Sequence, residues 1–520
     1  MMTTATTLLE QDFGTIPALI HAHAIERPDH PALVQDGRSV SYAELDALID
    51  RVAASLQRDG LKPRDAIAIC AGTSINYAAL FLGALRAGVA VAPLAPSSTA
   101  DSLAVMMEDC GARLLFTDAT TAATLQPVQD RLRITQLRLD NSAGPGWNGW
   151  LTPSGSRAQP VEPQPDWIFN IIYSSGTTGA PKGITQPLAM RWLHVKRGNL
   201  NGYGIAAVTL ISTPLYSNTT LVSFFPTIAL GGTVVLMAKF DASAYLVLAQ
   251  KYRVTHTMLV PVQYQRLMAH PDFDRYDLSS FQMKFCTSAP FAAALKADIV
   301  KRWPGGMVEY YGMTEGGGTC ILAAHEHPDK LHTVGLPAPE HDIRLIDEEG
   351  REVGPGETGE VVGHSGAMMK GYYNQPEKTA EAEWYSPDGK RFIRTGDLGR
   401  FDADGFLTLL DRKKDMIISG GFNIYPTDLE AVLREHPDVA DAAVVGVASV
   451  AWGETPVAYV VPKTGAAADA QAVLAWVNER VGKTQRLSAL EFTDALPRSA
   501  IGKVLKRELR DRFQDSARQS

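Results

Sequence analysis

The sequence predicts an α/β protein: a large N-terminal body of two βαβ-type sheets with a small β-rich part, then a small C-terminal α+β unit. Three observations carry this. Short apolar runs alternate with helix-period stretches up to about residue 260, the pattern of βαβ units and a largely parallel sheet. Beyond residue 335 the texture changes to short strands with glycine turns, such as Ile343-Arg344-Leu345-Ile346 and Gly359-Glu360-Val361-Val362. The remainder, after about residue 415, suits a compact domain of roughly a hundred residues, a common size.

Taken in order, Ser41-Tyr42-Ala43-Glu44 reads as a capping box, in which each end satisfies the other's free N–H. Leu45, Leu48, Ile49, Val52 and Leu56 then recur at helical spacing. Ala66-Ile67-Ala68-Ile69, Val89-Ala90-Val91-Ala92 and Leu114-Leu115-Phe116 read as buried strands. Residues 141–166 are rich in Pro, Gly and Ser and read as a loop. The strand Trp167-Ile168-Phe169-Asn170-Ile171-Ile172 follows, and a second series runs through Leu210-Ile211, Val234–Met237 and Met258–Val260. Gly405-Phe406-Leu407-Thr408-Leu409 belongs to the β-rich part. Thr427-Asp428-Leu429-Glu430 reads as a second capping box, ahead of strands Ala442–Val445 and Pro456–Val461. No internal repeat or low-complexity tract is present.

The chain has 520 residues, 45% of them hydrophobic, enough for two to four domains with full cores. Its net charge of −8 argues against a nucleic-acid surface. Met1-Met2-Thr3-Thr4-Ala5-Thr6-Thr7 has neither a basic nor an apolar stretch, so no secretory signal is expected. Cys70, Cys110, Cys286 and Cys320 are too scattered for a disulfide framework, and buried thiols in a reducing cytoplasm are expected. Two apolar stretches, 66–96 and 220–240, are broken by Asn76, Arg86, Pro226 and several glycines. A membrane-spanning helix needs about 20 nearly unbroken apolar residues, so no integral membrane segment is expected.

The most informative segment is Tyr173-Ser174-Ser175-Gly176-Thr177-Thr178-Gly179-Ala180-Pro181-Lys182-Gly183, directly after an apolar strand. Glycines let backbone N–H groups converge on an anion. Ser174, Ser175, Thr177 and Thr178 add neutral donors, and Lys182 one mobile positive charge. That composition suits a polyphosphate. It is not a Walker A loop, because Pro181 precedes the lysine and Gly183 follows it.

This loop resembles the signature of the adenylate-forming superfamily, in its acyl-CoA synthetase and aryl-CoA ligase branch. Four further blocks are similar to that family's motifs, in its order: Glu309-Tyr310-Tyr311-Gly312-Met313-Thr314-Glu315, Arg394-Thr395-Gly396-Asp397-Leu398, Asp411-Arg412-Lys413-Lys414-Asp415 leading to Ser419-Gly420-Gly421, and Pro497-Arg498-Ser499-Ala500-Ile501-Gly502-Lys503. The resemblance implies an ATP-dependent ligase that joins a carboxylic acid to AMP and then to the thiol of CoA. It implies an adenylation domain over 1–411, a hinge at 412–414 around Lys414, and a lid over 415–520.

Residue by residue, the resemblance assigns ATP binding to Ser174, Ser175, Gly176, Thr177, Thr178, Gly179 and Lys182 on the phosphates. Tyr311, Gly312 and Ser288-Ala289-Pro290 are assigned to the adenine, Thr314 to the phosphates, and Asp397 and Arg412 to the ribose. Glu315 beside triphosphate would repel it unless a hard cation lies between, which implies Mg²⁺ with Glu315 as ligand. Lys503, Glu315 and Thr178 are the expected catalytic residues, Lys503 at the α-phosphate and the acid's carboxylate. Gly420, Gly421 and Trp452 are expected to meet CoA. Ser217, Asn218, Phe224, Thr287, Gly316 and Gly317 are expected around the acyl group.

Where many relatives carry Pro-Leu-Phe/Tyr-His, this chain has Pro214-Leu215-Tyr216-Ser217. Three glycines after Glu315 favour an elongated or bulky apolar acid, fatty or aromatic, over acetate. A ligase that loads an acyl carrier protein shares every adenylation motif and is the alternative. Gly363-His364-Ser365-Gly366-Ala367 lacks the terminal glycine of a hydrolase nucleophile elbow. Oligomeric state is not legible, and a homodimer stays open.

Overall fold

The computed structural model describes residues 4–142, 146–174, 181–419, 422–449, 452–466, 469–499 and 502–519. They form two compact units. The first holds the chain to residue 332 with 337–342 and 363–393, and the second holds 333–336, 343–362 and 394 onward.

In the first unit, strand Ala66–Cys70 lies between Ala90–Pro93 and Leu114–Thr117, all parallel, with Ala68 opposite Ala92 and Leu115. The same seven-stranded sheet continues through Ile168–Ser174 and Lys182–Pro187 to Gly371–Tyr372. These last pairings are antiparallel, and they set Ser174 opposite Lys182 and Tyr372 opposite Ile184. A second sheet pairs Val208–Ile211 with Thr233–Leu236 and His256–Leu259, then Met283–Cys286 and Gly306–Tyr311, all parallel. The expected βαβ architecture is thus present in both sheets.

Helix Tyr42–Arg58 begins at the expected capping box: the Glu44 N–H donates to Ser41 Oγ at 3.3 Å, and the Ser41 N–H to the Glu44 carboxylate at 2.8 Å. Leu45, Ile49, Val52 and Leu56 along it are fully buried. They face helix Ile75–Arg86, where Gly83 lets the two helices approach: a Cβ there would stand 2.4 Å from Val52. All four cysteines are buried and free. No helix among the described residues is long and apolar enough to cross a membrane.

Two local expectations are corrected. Within the expected 141–166 loop, Gly146–Trp150 is a short helix. Trp147 and Trp150 are buried, and the Trp150 ring lies 4.9 Å from Phe116 and donates its N–H to Asp59 at 2.7 Å. Five residues with two glycines show no periodicity, so tertiary burial of the indoles sets the conformation.

In the second unit, Val439–Ser449 pairs antiparallel with Gly453–Pro462, which pairs parallel with Ala489–Phe492. Helices Pro426–Glu435, Ala470–Asn478 and Lys506–Gln519 pack against these strands. Thr427 is not the N-cap expected of a capping box. The helix starts at Pro426, whose missing N–H costs nothing in the first turn. Thr427 instead donates its hydroxyl to the Leu410 carbonyl, and Glu430 accepts from the Val444 N–H at 2.9 Å.

Candidate active site

Lys182 opens the strand that leaves the Ser/Gly/Thr loop, and its Nζ lies over the Tyr372 ring, 4.9 Å from the centroid. The Tyr372 hydroxyl donates to Glu315 Oε1 at 2.9 Å. Burial, and then the Glu315 charge, push the Tyr372 phenol far above its usual range, so it stays a donor. Glu315 is buried, and its carbonyl accepts from the Met369 N–H at 2.8 Å. The Thr314 carbonyl accepts from Gln186 Nε2 at 2.6 Å. Three sequence-expected residues, Lys182, Thr314 and Glu315, are therefore gathered by adjoining strands. Tyr372 and Gln186, which tie them together, were not expected. Tyr372 is one of two successive tyrosines, and only strand pairing decides which faces Glu315.

Gly316 and Gly317 have φ of +77° and +87°. A Cβ on Gly316 would stand 2.1 Å from the Ala367 carbonyl, and one on Gly317 2.7 Å from that of Gly363. Backbone therefore occupies the space that their missing side chains leave, and these glycines do not argue for a large acid. That corrects the volume argument, though not their place beside Glu315.

Tyr311 ends strand Gly306–Tyr311, and Gly312 after it is exposed. Thr287, Ser288 and Ala289 are part-exposed and Pro290 is exposed. Ser288 holds φ at +83°, an unusual conformation for serine, with its hydroxyl 2.6 Å from that of Thr219. Ser217 precedes helix Asn218–Ala229, and Asn218 Oδ1 accepts from Arg191 at 2.6 Å. Phe224 is buried against Phe225, with ring centroids 5.1 Å apart.

The second unit carries the other expected residues. Asp397 stands opposite Arg412 in an antiparallel ladder, and Arg412 Nε contacts its carboxylate at 2.8 Å. Arg394 forks onto Glu360 at 2.6 and 3.2 Å, with Lys413 on the same carboxylate at 3.2 Å. Lys503 follows Gly502, whose φ of +79° closes a tight turn: the Ser499 N–H donates to the Lys503 carbonyl at 2.8 Å. The Lys503 amine is lowered to about 8, by burial first and then by the charges of Arg412 and Lys414, with Asp397 and Asp415 opposing them. Lys506 and Arg510 are ion-paired to Glu430 and Asp415, whereas Lys503 makes no ion pair among the described residues. Lys414, Asp415, Gly446, Gly453, Glu454 and Arg510 line a cavity of about 420 Å³. Trp452 is 61% exposed, so it is no part of that unit's core. Ser175, Gly176, Thr177, Thr178, Gly179, Gly420 and Gly421 lie outside the described residues, as does the side chain of Ser174.

The first unit's residues fit a hard cation. Mg²⁺ binds through one or two carboxylates plus water and substrate phosphates, and Glu315 is such a carboxylate. Among the described residues no cluster of three or more acidic, His or Cys side chains would hold a metal alone.

Fold and residues together define a nucleotide-handling α/β enzyme with a separate lysine-bearing unit. Residues 20–373 match the model of the AMP-binding enzyme family, and 428–503 that of the AMP-binding enzyme C-terminal domain. The chain belongs to this family, the adenylate-forming superfamily, in its CoA-ligase branch. It is 34% identical over 505 residues to an indoleacetate–CoA ligase of Aromatoleum aromaticum, covering 94% of this chain and 96% of that one. A feruloyl-CoA synthase of Amycolatopsis is 34% identical over 499 residues, with the same coverage. Among solved structures, the amide bond synthetase McbA of Marinactinospora thermotolerans superposes with a TM-score of 0.83 at 28% identity, covering 96% of this chain and 99% of that one.

Proposed function

We propose that this enzyme joins an aromatic or fatty carboxylic acid to AMP and then to CoA. A carboxylate is a poor acyl donor because its leaving group would be an oxide. In the first step a carboxylate oxygen attacks the α-phosphorus of ATP, the α–β phosphoanhydride bond breaks, and pyrophosphate leaves. In the second, the CoA sulfur attacks the acyl carbon and AMP departs.

The observation that carries this reading is the Lys182–Tyr372–Glu315 constellation, in which Tyr372 and Glu315 are buried. Lys182 offers a positive charge to the departing phosphates. Tyr372 fixes one oxygen of Glu315, leaving the carboxylate's other lone pairs to hold Mg²⁺. Bound there, the cation would neutralise the phosphate charge that grows as pyrophosphate separates. Lys503 supplies positive charge at the α-phosphate, Asp397 and Arg412 take the ribose, and residues 412–414 form the hinge. The names of the CoA-ligase relatives support an aromatic acid, and Trp452, exposed and apolar, supports CoA as acceptor.

The test is pyrophosphate release over aryl, fatty and amino acids, with and without CoA. Acid-dependent AMP and pyrophosphate, with thioester only when CoA is present, are expected. ADP and orthophosphate from every acid would overturn the reading. A carrier protein in place of CoA separates the two acceptors.

A further inference from the structure

Helix Leu188–Gly198 places three basic residues on successive turns: Arg191, His194 and Arg197. Arg191 is 1% exposed, yet among the described residues no carboxylate pairs with it. Its partners are neutral: Gln186 Oε1 and Asn218 Oδ1, while its Nε has none. A buried cation without a counter-charge is costly, and this one adjoins residues already placed around the substrate. Gln186 also holds the Thr314 carbonyl.

The next two turns repeat the pattern. Solvent reaches His194, but burial is the leading cause that depresses its imidazole, to about 3, followed by Arg191 and Arg197. Its Nδ1 lies 3.5 Å from a guanidinium nitrogen of Arg191, a donor, so its own proton sits on Nε2. Arg197 reaches His341 Nε2 at 2.7 Å, while the Thr319 N–H donates to His341 Nδ1 at 2.9 Å. A neutral imidazole has one acceptor nitrogen, and burial and Arg197 keep His341 neutral. Two donors therefore compete for one lone pair. The only carboxylate near Arg197 among the described residues is Glu340, 3.5 Å away and 86% exposed.

This donor-rich face touches Asn218 at one end and Thr319 at the other. Thr319 is four residues from Glu315, so Glu315 lies within about 14 Å of that end of the face.

We propose that the acid activated here carries an oxygen acceptor at its far end, a phenolic oxygen or a second carboxylate, received by His194 Nε2–H and Arg197. Arg191 touches no substrate; it orients Asn218 and His194. This rests on the acid-activating reading above and names its substrate class.

The test is kcat/KM for pyrophosphate release with three ring acids of one length: unsubstituted, para-hydroxyl and para-carboxyl. A site built to hydrogen-bond an oxygen rejects the analogue lacking it, so a preference on the order of 10²-fold or more is expected for one oxygenated acid. Which of the two wins separates phenol from carboxylate. His194→Leu and Arg197→Met are each expected to collapse that ratio towards one; a ratio does not depend on how much of the variant folds. Equal turnover of all three acids, or a preference unmoved in both variants, overturns the inference while leaving acid activation standing. No pyrophosphate from any acid overturns both.

Discussion

Lys503 has its amine lowered to about 8 by burial and by the nearby charges of Arg412 and Lys414. Its catalytic use requires the protonated form, which in the free enzyme is present below pH 8 and lost as pH rises through it. The kcat/KM for adenylation should therefore fall above about pH 8, and Lys503→Arg, whose charge persists, should stay flat to higher pH. Lys503→Ala is expected to slow acyl-adenylate formation by about 10²–10³ but to leave thioester formation from supplied acyl-AMP largely intact. Equal loss in both half-reactions would refute the assignment. Tyr372 acts at one remove, through its bond to Glu315. Tyr372→Phe keeps the ring beneath Lys182 but frees the carboxylate oxygen, and should weaken Mg²⁺ by about 10–100-fold. A titration of activity against Mg²⁺ reads this: a rightward shift supports the role, and an unshifted curve with a lower plateau does not.

At the scale of elements, legibility followed the physics of periodicity. The Ser41 cap, the helix after it and the parallel strands were readable because burial repeats at fixed spacing in them. The Gly146–Trp150 helix and the start at Pro426 were not, since indole burial and a hydroxyl bond to Leu410 decide them from afar. Lys182, Thr314 and Glu315 were expected from the motifs that carry the family resemblance, whereas Tyr372, Gln186 and Arg191 meet them only through strand pairing and tertiary contacts that no motif marks. Gly316 and Gly317 show the limit most clearly, being visible as glycines but misread as pocket volume. Gly316→Ala and Gly396→Ala make a matched test. Both residues hold positive φ, but a Cβ at Gly396 meets nothing within 4 Å, while one at Gly316 meets the Ala367 carbonyl. Backbone strain alone costs about 1–3 kcal/mol. Gly316→Ala should lower the thermal midpoint clearly more than Gly396→Ala; equal shifts would mean that residues 363–368 yield without cost.

At the scale of the molecule, the proposed groups are divided by chemistry between two compact units. Phosphate and metal groups lie in the first, and the ribose pair, Lys503 and Trp452 in the second. Two successive reactions of one carboxyl group, the first at the α-phosphorus and the second at the acyl carbon, need Lys503 first and a CoA thiol afterwards, which argues for alternation about the hinge proposed at 412–414. Lys414 is suited to test it. The flanking turn is closed by the Asp415 and Met416 N–H groups, both bonded to the Arg412 carbonyl. The Lys414 N–H makes no hydrogen bond among the described residues, and its φ is not positive. Lys414→Pro therefore removes torsional freedom without removing a backbone bond. Adenylation, followed as pyrophosphate released in the first turnover, should stay within a few-fold of the parent, whereas thioester formation should fall by about tenfold or more. Lys414→Ala, which deletes the charge and keeps the freedom, should impair thioester formation far less. Full thioester turnover in Lys414→Pro would mean that both reactions proceed without rotation at this residue.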